Sequence, residues 1–206
     1  MKRNTVTMLA LWAVCLTAGV FAASRLIPSG TTPENLKAAY IGEINTKARY
    51  EAFSVKADAE GYAGVASLFR AVAQAEQVHA ANHAKVIKDL GFAALGDVEK
   101  PVVKSTKENL DWVVKAENRE YNIMYPDYMQ QAVKDDNRQA IASFRGAMEA
   151  ELGHYALFAE AAANLEEWRV KRSFLVCQTC GHTTADFTIK NCPFCSQPRE
   201  QFKELN

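Results

Sequence analysis

Between about Pro33 and Arg172 helix formers dominate the chain, with alanines and aliphatic residues set among charged ones and with few prolines or glycines. The breaks in that pattern predict four helices. Thr32-Pro33-Glu34 offers a capping hydroxyl, a first-turn proline and an early acid, so helix A should run from Pro33 to Glu60. Gly61 and Gly64 flank the turn into helix B, which should continue to Leu90 and stop at Gly91. The stretch from Gly91 to Lys104, with Gly96 and Pro101, is long enough to run along a bundle rather than turn tightly. Helix C is expected from Ser105 to Val133. Asp135-Asp136-Asn137 then breaks the pattern before helix D, from Asp136 to Val170. Pro126 falls inside helix C, where it removes a backbone donor and predicts a bend or a widened turn.

The two ends read differently. Lys2 and Arg3 precede an uncharged, largely apolar run from Asn4 to Ser24 with no polar face. A basic start, an apolar stretch and small residues around Val20-Phe21-Ala22 predict an export signal, or an anchor if the segment is retained. Either way the positive front stays in the cytoplasm and the rest is exported, to the periplasm or to the outer face of the cytoplasmic membrane. Cys15 follows bulky Trp12 and Val14, which is poor lipoprotein context. After Arg172 come four cysteines, turn residues and short strand-like pieces, which predict a second, small domain. The expected organisation is residues 1–24 as signal or anchor, 25–32 as linker, 33–171 as helical bundle and 172–206 as a cysteine-bound metal domain. Acidic and basic residues are equal at 24 each, which gives no case for nucleic-acid binding.

Within the helical region two patterns recur about 75 residues apart. The first is Asn35-Leu36, Glu43, Phe69-Arg70 and Glu76-x-x-His79; the second is Asn109-Leu110, Glu117, Phe144-Arg145 and Glu151-x-x-His154. Asn-Leu precedes each glutamate by the same offset, as Phe-Arg precedes each Glu-x-x-His, and the halves differ by one residue between those landmarks. Residues three apart share a helix face, so Glu76 with His79, Glu151 with His154, and Glu117 with Glu120 can each address one spot. A lone Glu-x-x-His is usually a solvated face; two copies at matching offsets, each with an upstream glutamate, point to a two-metal site built from four helices. Five ionised carboxylates in a bundle core would carry −5, which two divalent cations bring to −1 and two trivalent cations to +1. Mixed oxygen and nitrogen donors suit iron or manganese. His83, one turn past His79, reads as a residue behind the ligands or at the surface.

Cys177-x-x-Cys180-Gly181 and Cys192-Pro193-x-Cys195 form two knuckles at a separation suited to a tetrahedral four-thiolate site. Disulfides are the alternative in an exported chain, but two C-x-x-C loops are poor geometry for internal pairing. The ligands alone do not separate an electron-carrying iron from a structural zinc.

From Pro33 onward the chain resembles the rubrerythrins, in which a ferritin-like di-iron bundle is joined to a rubredoxin-like module. The likeness rests on Gly42-Glu43 with Tyr50, the two Glu-x-x-His motifs, Glu117-Asn-Arg-Glu120 followed by Met124-Tyr125-Pro126, and the paired knuckles. The resemblance implies a mainly α, ferritin-like four-helix bundle with a long B–C crossover, plus a rubredoxin-like four-cysteine domain. It implies that Glu43, Glu76, Glu117, Glu151 and His154 hold two irons, that Glu120 and His79 are alternative ligands to one of them, and that Tyr50 and Tyr125 stand beside the site. One further iron, or zinc, would sit on Cys177, Cys180, Cys192 and Cys195. His182 departs from the pattern, since such knuckles often carry an aromatic residue after the glycine.

The activity implied is reduction of hydrogen peroxide to water by the di-iron pair, with electrons returned through the four-cysteine iron, in defence against oxidative stress. The resemblance also implies a homodimer, in which that iron approaches a partner subunit's bundle. Outside the cytoplasm the electron donor would be a cytochrome or quinone-linked protein. Two other readings stay open: a ferroxidase that handles incoming Fe(II), and a non-enzymatic exported bundle with a structural zinc ribbon.

Overall fold

The computed structural model describes residues 30–206; the apolar run at the N-terminus and most of the linker after it lie outside the described residues. Five helices are followed by a small sheet. Helix α1 spans Thr32–Ala59, α2 Ala63–Asp89, α3 Thr106–Arg119, α4 Tyr125–Lys134 and α5 Arg138–Ala163. A π-helical turn, Glu120–Met124, joins α3 to α4, so the expected helix C is one rod with a bulge ending just before Pro126. Helix D is shorter than its composition predicts. It ends at Ala163, and Leu165–Arg169 forms a 3-10 turn that tucks Trp168 into the core.

The repeated Asn-Leu pairs turn out to set the helix entries. Asn35 clamps the backbone five residues before it, accepting from Gly30 N at 2.9 Å and donating to Gly30 O at 3.1 Å. Asn109 does the same to Lys104, at 3.0 and 3.1 Å. Each entry is completed by a capping box, Thr31 with Glu34 and Ser105 with Glu108. The capping hydroxyl of α1 is therefore Thr31, one residue earlier than expected. Leu36 and Leu110 follow these clamps into the core.

The crossover lies along α1, held where Asn45 donates to Asp97 O at 3.0 Å and accepts from Glu99 N at 2.7 Å. Two apolar clusters fill the bundle. One gathers Tyr50, Phe53, Phe69, Leu110, Val113 and Phe158; the other gathers Leu36, Ile87, Tyr125, Ala140 and Phe144. A band of buried polar residues lies between them.

The C-terminal module is an antiparallel three-stranded sheet of β1 Phe174–Cys177, β2 Thr183–Thr184 and β3 Phe202–Leu205, in the order β2-β1-β3. Leu175 lies opposite both Thr184 and Glu204. The module docks on the bundle of its own chain. Phe174 and Val176 join the first apolar cluster, Phe174 stacks on Trp168 at 6.2 Å, and Asn82 of α2 donates to Thr179 O at 2.9 Å. Gly64 admits the close approach of the 3-10 turn that leads into the module, because a Cβ there would strike the carbonyls of Trp168 and Val170.

Candidate metal centres

Glu43 comes from α1, Glu76 and His79 from α2, Glu117 from α3, and Glu151 and His154 from α5. All six are buried. They form two quartets, Glu43–Glu76–His79–Glu151 and Glu76–Glu117–Glu151–His154, with the donor atoms of each within 4.8 Å of one another. Glu76 and Glu151 belong to both, as expected of carboxylates that could span two cations.

The imidazoles are oriented from behind by the C-terminal module. His79 Nε2 lies 3.1 Å from Cys180 O, and His154 Nε2 lies 3.3 Å from Gly181 O and 3.2 Å from Thr183 Oγ1. A carbonyl can only accept, so Nε2 carries the proton and Nδ1 is turned to the carboxylates. His79 Nδ1 is 2.9 Å from Glu76 Oε2 and 3.1 Å from Glu151 Oε1; His154 Nδ1 is 2.8 Å from Glu151 Oε2. A nitrogen lone pair facing an ionised oxygen at such a distance is repulsive unless positive charge, a proton or a metal, lies between them. Glu76 Oε1, Glu117 Oε2 and Glu151 Oε1 are buried without any hydrogen-bond partner, and each such atom costs about 1–3 kcal/mol or more if left bare. Oxygen and nitrogen donors with unspent lone pairs fit hard or borderline cations.

Titration tells the same story. Burial, and then the charges of neighbouring carboxylates, push Glu76 and Glu120 well above the ordinary range; burial and the charges of Glu76 and Glu117 do the same to Glu151. Glu43 goes the other way. Burial alone would raise it, but the nearby His83 and the charge of His79 hold it at about 2. Burial lowers His79, yet Glu151 and Glu43 more than offset this and leave it raised. Without metal, the cluster holds protons where cations would otherwise balance its charge.

Tyr50 donates its hydroxyl to Glu117 Oε1, and Tyr125 donates to Glu43 Oε1. Each tyrosine therefore serves the glutamate of the other half, and burial keeps both phenols protonated. Glu120 sits in the π turn, half-buried and outside both quartets. It lines a cleft of about 530 Å³ together with Gly42, Thr46, Arg119 and Met124. His83 is not a surface residue. It is fully buried, with Nδ1 2.8 Å from Ser143 Oγ and Nε2 3.2 Å from Tyr125 Oη. Its position one turn past a ligand, on the buried face of α2, was the available signal.

The four cysteines of the module bring their sulfurs within 4.8 Å of one another, with Cys177–Cys195 and Cys180–Cys192 both at 3.6 Å. A disulfide would bring sulfurs to ~2.05 Å. A tetrahedron with metal–sulfur arms of ~2.3 Å has edges of ~3.8 Å, close to what is seen. Gly181, at φ +82, turns the first knuckle so closely over α2 that a Cβ would run into His79 Nε2. His182 takes the aromatic place with its ring 4.9 Å from Phe194, and burial lowers its pKa to about 4.

Residues 34–162 match the family model described as Rubrerythrin. Over 182 residues the chain is 32% identical to rubrerythrin-2 of Clostridium acetobutylicum, covering 86% of this chain and 98% of that one. It is also 32% identical over 175 residues to nigerythrin of Nitratidesulfovibrio vulgaris, covering 84% and 86%. The solved structure of nigerythrin in its fully reduced, all-ferrous state superposes with a TM-score of 0.82 at 28% identity, covering 97% of this chain and all of that one. With a ferritin-like bundle, paired carboxylate–histidine quartets and a four-cysteine module in one chain, the protein belongs to the rubrerythrin family.

Proposed function

We propose that the chain is a peroxide reductase, turning hydrogen peroxide, two electrons and two protons into two waters. The observation that carries this reading is the pair of quartets sharing Glu76 and Glu151, backed by histidines that touch the four-cysteine module. In this reading Glu43, Glu76, His79 and Glu151 hold one iron, Glu76, Glu117, Glu151 and His154 hold the other, and Cys177, Cys180, Cys192 and Cys195 hold a third. When bound, the paired irons would supply the two electrons, and the cysteine site would supply a one-electron carrier for their return.

The chain's own groups do the rest. Tyr50 and Tyr125 each hold one oxygen of Glu117 and Glu43, and the other oxygen of Glu117 is left free for metal. The apolar clusters on either side exclude bulk water. The cleft at Glu120 gives a small polar oxidant a way in, and burial with the charges of Glu117 and Glu43 raises the Glu120 carboxyl that lines it. The contact from Cys180 O to His79 Nε2 joins the two centres within one chain and offers a short route for electrons between them. The electron donor, the export route and dimer formation expected from the sequence remain parts of this proposal.

The test compares wild type with Cys177→Ser, both iron-loaded and reduced, mixed with peroxide under exclusion of oxygen. The bundle of each should oxidise at the same rate, and only the variant should fail to be re-reduced quickly by an added donor. Unchanged turnover in the variant would remove the relay role. A reduced protein inert to peroxide that instead accumulates added Fe(II) as mineral would favour iron handling.

A further inference from the structure

The two halves of the bundle treat their tyrosines differently. Aligning the repeats on Glu-x-x-His and Phe-Arg places His83 opposite Phe158, each four residues past its motif histidine, and Ser143 opposite Leu68, each just before its phenylalanine. Tyr50 is accordingly packed in hydrocarbon, with Phe158 at 5.4 Å, Phe69 at 5.7 Å and Phe53 at 6.4 Å between ring centres. Tyr125 has Phe144 at 6.1 Å in the place of Phe69, but His83 in the place of Phe158, with its ring 5.9 Å away.

The direction of the hydrogen bonds around His83 follows from chemistry. The hydroxyl of Tyr125 donates to Glu43 Oε1, since a carboxylate that serves a metal can only accept. The one proton of Tyr125 is thereby spent, and its oxygen must accept from His83 Nε2–H. Nδ1 of the neutral ring then accepts from the hydroxyl of Ser143. Three donations run one way, from Ser143 to His83 to Tyr125 to Glu43. His83 Nε2 also lies 3.8 Å from Glu43 Oε1, too far for a direct bond.

We infer that His83, backed by Ser143, is a positioning residue that acts through Tyr125 to fix the orientation of Glu43 at the metal site. By filling the lone pair of the phenol, the imidazole stops the hydroxyl from rotating away and strengthens its donation, since hydrogen bonds in a chain polarise one another. Glu43 Oε1, 3.9 Å from His79 Nδ1, is thus held in place within its quartet. Glu117 has a tyrosine but no such backing, so the two metal positions differ in how firmly their terminal carboxylates are held. The inference rests on the di-metal reading of this cluster, but not on the peroxide reaction.

The test measures anaerobic Fe(II) affinity of the bundle in the full chain, with the four-cysteine site already filled. Tyr125→Phe should weaken binding by about 10–100-fold, the usual effect of losing a group that orients a ligand. His83→Phe keeps an aromatic ring, the one that the other half carries as Phe158, and should cost about tenfold, near the lower end of that range. In the Tyr125→Phe background it should cost nothing further. His83→Gln, whose amide can accept from Ser143 and donate to Tyr125, should restore most of the loss. An equal loss from His83→Phe with and without Tyr125, or no rescue by glutamine in a normally folded chain, would overturn the inference. Should His83→Phe not fold, nitrogen NMR of zinc-loaded wild type decides. Protonated Nε2 with bare Nδ1 supports the chain of donations, and the opposite tautomer ends it. A wild type whose bundle binds no Fe(II) would sink the di-metal reading itself, an outcome distinct from these.

Discussion

The first helical hairpin and the second are built to one plan, and their differences lie where chemistry would need them. Both open on a reciprocal asparagine clamp, both bury a glutamate eight residues later, and both supply a Glu-x-x-His. Three things differ. Three residues beyond its glutamate the first hairpin has Thr46 and the second has Glu120. Tyr50 follows Glu43 by seven residues, whereas Tyr125 follows Glu117 by eight, and the extra residue is absorbed in the π turn Glu120–Met124. Finally, His83 and Ser143 stand where the other half has Phe158 and Leu68. The shared features set helix entry and core packing. The divergent ones all border the metal ligands, so the asymmetry belongs to the site and not to the scaffold.

The largest expected effect breaks the equivalence of the two quartets with their shared members. Glu76→Ala should abolish metal at both bundle positions and leave only the four-cysteine metal, whereas Glu43→Ala or Glu117→Ala should empty one position each. Metal analysis of the purified variants reads this directly. Next comes the aromatic half. Phe158→Ala should destabilise the chain by about 3–5 kcal/mol in urea unfolding, since Phe158 is fully buried against Tyr50 and Phe69.

A third expectation concerns pH in the metal-free chain. Glu76, Glu120 and Glu151 are raised above 4.5 when folded, so the folded state binds more protons than the unfolded one above that pH and stability falls as pH rises. His79, raised above 6.5, contributes stability that is present below that value and lost as pH passes its folded value. Glu43, held at about 2, contributes stability above 4.5 that is lost only as pH falls toward 2. His83 and His182, lowered below 6.5 by burial, oppose this trend as pH rises past about 5, but the three carboxyls and His79 outnumber them. The melting temperature of metal-free protein should therefore be higher near about pH 5 than near about pH 8, and metal should flatten that slope.

Smaller effects sharpen the account further. Gly181→Ala should cost about 1–2 kcal/mol through its positive φ alone. By lifting the knuckle from His79 it should also slow re-reduction of the bundle while leaving its oxidation by peroxide unchanged, as stopped-flow absorbance would record. Least of all, Asn35→Ala and Asn109→Ala should each cost about 1 kcal/mol in thermal unfolding, and by similar amounts. Clearly unequal losses would show that the two helix entries are not equivalent.

Much of this was written locally in the chain. Glu43, Glu76, His79, Glu117, Glu151 and His154 declared themselves because a duplicated motif repeats both residue type and offset, and the helix turns that repeat into a common face. The four cysteines did so through their knuckles. The bulge was half legible, since the halves differ by one residue and Pro126 lies nearby. The unequal spacing of Glu43–Tyr50 and Glu117–Tyr125 would have located it. His83 was harder, because a single histidine on an amphipathic helix has no partner nearby in sequence; Ser143 and Tyr125 reach it from other helices. The seating of the module on its own bundle was not legible at all. It depends on contacts such as Asn82 with Thr179 and Gln74 with Gln178, which join residues about a hundred positions apart and carry no motif. Helix D ended early for a similar reason, with Trp168 drawn into the core beside Phe174.

The most direct test of the central claim is an anaerobic titration of fully reduced, iron-loaded protein with hydrogen peroxide, followed through the visible absorption of the cysteine-bound iron. If the quartets hold a redox-active pair coupled to the module, each bundle consumes peroxide and the oxidised iron–thiolate colour appears only as electrons are drawn from the cysteine site. Peroxide left unconsumed by protein with a full complement of iron would contradict the account.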